Sequence, residues 1–171
     1  MAEPVIESAP RFAPGDHLDW PALLRAPPAD LVLGHDMGHA IAPDSPGGRW
    51  RLELRPDGAL ALGWWRGAAH RAWTARGDPQ IFADFAGILA AVGFPAVPDH
   101  PIFPGASVRV VDARTGGLGV SALLAVHFLE HEPPYDRLFL LADTLVYRVS
   151  DHPVPPWKAL LDVAVTERRE R

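Results

Sequence analysis

The chain contains no cysteine. That absence excludes disulfides, thiol nucleophiles and thiolate metal sites, while leaving the compartment open. Lysine is scarce as well: among 16 Lys and Arg residues only Lys158 is a lysine. With abundant Ala, Gly and Pro, this is the bias of a GC-rich bacterial genome, so the arginine excess is not read as phosphate binding. A long hydrophobic run is also missing. The longest, 120–129, is interrupted by Ser121 and His127 and is too short to span a bilayer. The N-terminus places Glu3, Pro4 and Glu7 where a signal peptide needs a basic start and an apolar core. These absences point to a soluble cytoplasmic protein with no membrane contact.

Catalytic signatures are equally sparse. There is no G-x-S-x-G elbow, and Gly47-Gly48 and Gly116-Gly117 lack the lysine and spacing of a phosphate loop. The carboxylates Asp57, Asp84, Glu130, Asp136 and Asp143 read as turn, cap or exposed helix positions rather than acid–base pairs. A net charge of −5 argues against nucleic acid as a partner.

What is present suits a globular fold. The 171 residues are 48% hydrophobic and 22% charged, enough for one domain with a real core. Residues 1–30 read as a proline-rich N-terminal arm, packing Trp20 and Leu23 onto a single α+β domain over 31–171. Arg49 to Arg55 alternates charged and apolar residues, which predicts a strand with Trp50, Leu52 and Leu54 inward and Arg49, Arg51, Glu53 and Arg55 in water. Pro56-Asp57-Gly58 is a tight turn, and 59–65 returns with Leu60, Leu62 and Trp64 on one face. A third strand over 70–75 carries Trp73. Asp78 and Pro79 then open a helix whose stripe is Ile81, Phe82, Phe85, Ile88, Leu89 and Val92, closed by Gly93.

Around that unit, 31–33 reads as a short strand and 34–48, with its glycines and prolines, as a loop. Residues 106–113 form a strand, 114–117 a turn, and 120–130 either a strand or a helix, with the strand preferred after Gly-Gly. A second long helix spans 134–150, and a short C-terminal helix 157–164. The expected architecture is α+β: a largely antiparallel sheet of about five strands, two main helices packed on one face, and the short C-terminal helix.

Two constellations carry chemistry. His35, Asp36 and His39 place two imidazoles and a carboxylate within five residues, a donor set suited to Zn, Mn or Fe. Trp64, Trp65, Arg66, Arg71 and Trp73 form an aromatic–basic cluster on neighbouring strands, and one indole of the Trp64-Trp65 pair must leave the core unless something covers it. The histidine pair His127 and His131, and His100 and His152 beside aspartates, read as solvated or core-edge residues. The expectation is a non-enzymatic accessory or immunity-like domain that binds another protein through the tryptophan strands and needs no cofactor. The alternative is a divalent-metal hydrolase using the His35–His39 segment.

Overall fold

The computed structural model describes residues 6–38 and 48–150, together with the backbone of 165–167. In chain order the elements are β1 (Ala13–Pro14), α1 (Trp20–Arg25), β2 (Val32–Met37), β3 (Arg49–Leu54), β4 (Ala59–Arg66), β5 (Ala69–Gly77), α2 (Pro79–Ala91), β6 (Val108–Thr115), β7 (Leu118–Ala125), α3 (Val126–Leu129), α4 (Tyr135–Ser150) and β8 (Val165–Glu167). The fold is α+β. Among the described residues the strands form one eight-stranded sheet in the order β1-β7-β6-β2-β3-β4-β5-β8. Only β1, parallel to β7, departs from antiparallel pairing.

The sheet is mixed through β1 alone, so the largely antiparallel pairing holds, but it is larger than the expected sheet of about five strands. Part of the difference lies at its edges. β1 and β8 are two and three residues long, too short to show a period-2 pattern, and each is recruited by an edge strand already in place. The rest lies at the centre. Gly34 to Met37, expected as loop, continue β2 between β3 and β6. Gly34 is not a chain breaker there. A Cβ at this position would collide with the guanidinium of Arg51 and the carboxylate of Asp112, so glycine marks the close approach of side chains from both neighbouring strands.

Local chemistry explains the β3–β4 hairpin and α2. Gly58 takes φ +85°, and the Asp57 carboxylate accepts from Ala59 N at 3.0 Å, closing the turn. Asp78 caps α2 by accepting from Gln80 N at 2.8 Å, with Pro79 in the first turn. At the other end Gly93 has φ +78°, and Phe94 N donates to Leu89 O at 3.0 Å. This is a Schellman closure. The 120–130 segment divides: β7 runs to Ala125 and a single helical turn, α3, follows. Residues 157–164 lie outside the described residues.

One face of the sheet meets α1, α2 and α4. Leu33, Leu52, Leu54, Leu62, Val111, Ala113 and Leu124 from the strands pack with Phe82, Phe85, Leu89, Leu138, Ala142 and Leu145 from the helices, all buried. Each Leu, Val or Phe among them stabilises the fold by roughly 1.5–3 kcal/mol on transfer from water. Trp20 is 1% exposed and its indole donates to Gly15 O at 2.8 Å, so α1 belongs to this core.

The opposite face corrects a second expectation. Arg51 and Glu53, placed in water by alternation, are buried, as are Asp36 and Asp112 beside them. Alternation predicts two faces but not that both are dry. The N-terminal segment crosses this side: Ile6 lies near Gly63 and Trp65, Ser8 O accepts from Arg49 at 2.6 Å, and Phe12 covers Gly119. Charges under such a cover must be paired. Arg51 donates to Asp112 at 2.7 and 3.0 Å and to Glu53 at 3.2 Å, Arg114 donates to Glu53 at 2.7 Å, and Arg49 grips Asp36. No helix among the described residues is long and apolar enough to cross a membrane.

Candidate functional site

The distal end of the β4–β5 hairpin holds the aromatic–basic cluster. Register sets Trp64 opposite Arg71 and Trp65 opposite His70, so each pair shares a face. Trp64 and Trp73 join Trp50 on the helix side, with Trp50 stacked on Trp73 at 5.8 Å and tilted against Trp64 at 6.2 Å. Trp65 points to the other side, stacks on His70 at 5.0 Å and leans over Gly63 beside Ile6. The five residues of the cluster are thus divided by the sheet. Trp64, Arg71 and Trp73 share one face, Trp65 takes the other, and Arg66 stands at the hairpin end. Arg66, Gly67, His70 and Arg71 are exposed, and a Cβ at Gly67 would meet nothing within 4 Å.

The histidine–aspartate segment is arranged differently. His35 and Asp36 are consecutive residues of β2, so their side chains leave opposite faces and do not converge. Asp36 joins the charged face and is held by Arg49. His35 enters the helix-side core at 1% exposure, edge-on to Phe85 and Phe139 with ring centroids at 5.8 and 6.4 Å. His39 lies outside the described residues. Among the described residues no group of three or more His, Asp or Glu side chains is placed to hold a metal ion.

His35 instead leads to a constellation the sequence reading did not assemble. Its Nε2 lies 3.3 Å from Arg109 Nη1, while its Nδ1 is buried without a partner. Arg109 also reaches Asp143 at 3.0 Å and lies over the Phe139 ring at 4.8 Å. Burial, reinforced by the adjacent Arg109 guanidinium, lowers the His35 pKa from 6.5 to about 3. The imidazole is therefore neutral at physiological pH, with Nε2 accepting from Arg109 and the proton on Nδ1.

Arg109 and Asp143 form the base of a cleft of about 440 Å³ between α3 and the start of α4. Val126, Phe139 and Leu140 give it apolar walls, and Glu130, His131, Asp136 and Arg137 also line it. On the far side of α3, Phe128 stacks on His100 at 4.5 Å, and Phe103 lies 6.0 Å from His127. Asp143, expected on an exposed helix surface, is 16% exposed. Its signal was its place four residues after Phe139, on the apolar stripe of α4. Arg109 carried a matching one, as it shares strand parity with the buried Val111 and Ala113.

No protein-family model matches the chain, and a search of curated proteins finds no match.

Proposed function

We propose that this chain is a protein-binding domain whose contact surface is the distal end of the β4–β5 hairpin. The observation that carries the reading is the uncovered tip from Arg66 to Arg71, with Trp64 on one side and Trp65 on the other. Tryptophan and arginine dominate the energetics of protein interfaces because they combine large apolar area with directional donors. A partner gripping the tip would meet Trp65 and His70 on one face and Trp64 and Arg71 on the other. The partner, accessory or immunity-like in relation, is another protein, and no cofactor enters this reading.

The divalent-metal alternative gains no support from the opposed directions of His35 and Asp36. The test is capture from native lysate, followed by hydrogen exchange on the isolated complex. A genuine partner slows exchange over residues 64–71 and is lost with Trp65→Ala and Arg71→Ala. Capture unchanged by both substitutions would remove the hairpin from the interface.

A further inference from the structure

The cleft above Arg109 and Asp143 is a built site that the hairpin reading does not use. We infer that it binds a small zwitterion with a hydrocarbon side group, of the chemical class of a free apolar α-amino acid. Three observations lead there. Its volume, about 440 Å³, lies in the range of small-molecule sites, roughly 300–1,000 Å³. Its base is preorganised: the Arg109 guanidinium is fixed by His35 at 3.3 Å, by Asp143 at 3.0 Å and by the Phe139 ring at 4.8 Å. A guanidinium already immobilised loses little freedom when its remaining N–H groups meet a carboxylate. That positioning also explains a neutral histidine kept in an apolar core, where its unpartnered Nδ1 opposes folding.

The third observation is the mixed sign of the lining. Arg109 and Asp143 offset one another, leaving Arg137 against Asp136 and Glu130 at the mouth, with His131 Nε2 3.7 Å from the Glu130 carboxylate. A simple anion would face the carboxylates of Glu130, Asp136 and Asp143, and a simple cation would face both arginines. A molecule carrying both charges satisfies both sets. Arg109 and Arg137 take its carboxylate, Glu130 and Asp136 take its ammonium, and Val126 and Leu140 receive the hydrocarbon group.

The experiment is an NMR titration of the full chain with L-leucine, N-acetyl-L-leucine and L-leucinamide, following the Val126, Phe139 and Leu140 side chains. Leucine is expected to produce saturable shifts there. Each analogue, having lost one charge, should bind about tenfold more weakly, as one charge-assisted contact is removed. The surface substitution Arg137→Gln, and Glu130→Gln with Asp136→Asn, should weaken leucine binding by a similar factor without unfolding the chain. Trp65→Ala should leave it unchanged, which separates this site from the hairpin. Absence of saturable shifts at these three side chains, or an analogue binding as well as leucine, would overturn the inference.

Discussion

Arg51 and Asp112, 61 positions apart in the chain, meet through two buried hydrogen bonds of 2.7 and 3.0 Å. The contact joins β3 to β6 across the intervening β2, above Gly34. Arg51 has its pKa raised: burial acts to lower it, but the hydrogen bonds and charges of Asp112 and Glu53 outweigh that. Arg51→Met leaves Asp112 a buried charge without its partner, and Asp112→Leu leaves Arg51 only the longer bond to Glu53, so each alone should cost about 3–5 kcal/mol in urea unfolding. The double substitution should cost clearly less than the sum. Strict additivity would show that the two side chains are not coupled.

Gly34 permits that contact. Gly34→Ala introduces a methyl where the Arg51 guanidinium and the Asp112 carboxylate already sit. Overpacking of this kind costs about 1–3 kcal/mol. In an Asp112→Ala background, where the carboxylate is gone, the cost of Gly34→Ala should fall. An unchanged cost in that cycle would place the clash on the Arg51 guanidinium alone.

His35 makes stability depend on acid. Its folded pKa, about 3, lies below its ordinary value of 6.5, so the unfolded chain takes up the proton first as pH falls. Stability from this site is fully present above pH 6.5 and declines as pH falls from 6.5 towards 3. His35→Leu removes the titration while keeping the site apolar. Unfolding free energies from pH 7 to 4 should therefore fall more steeply for the parent than for the variant, since carboxylate protonation is common to both. Parallel curves would mean that His35 titrates normally in the folded state.

Asp78 anchors the first turn of α2 through Gln80 N. Asp78→Ala should lower stability by about 1 kcal/mol, with the loss recovered by Asp78→Ser. Thermal or urea unfolding measures both. Equal stability of parent and Ala variant would mean that Pro79 and the packing of Phe82 and Phe85 suffice to start the helix.

The elements legible in the sequence were those whose signals are local. The 49–65 hairpin, the 78–93 helix and the apolar stripe of α4 each join a period to turn or cap residues, and such residues act on backbone dihedrals within a few positions. β2 was only half legible. Leu31, Leu33, His35 and Met37 keep one parity throughout, but Gly34 and Gly38 carry the composition of a loop. Whether a glycine breaks a strand or admits a neighbour's side chain depends on that neighbour, here Arg51 and Asp112.

The candidate sites follow the same division. Sequence alone determined the class of fold, the hairpin with its Trp64-Trp65 pair and the alternation that sends those indoles to opposite faces, because strand geometry has period 2. Tertiary structure decided which face the N-terminal segment would cross, which turned Arg51 and Glu53 from solvated charges into a buried network. It also decided that His35, Arg109 and Asp143 would meet. Those three lie on β2, β6 and α4, and only sheet order and helix docking bring them within hydrogen-bond distance; no local periodicity encodes that relation.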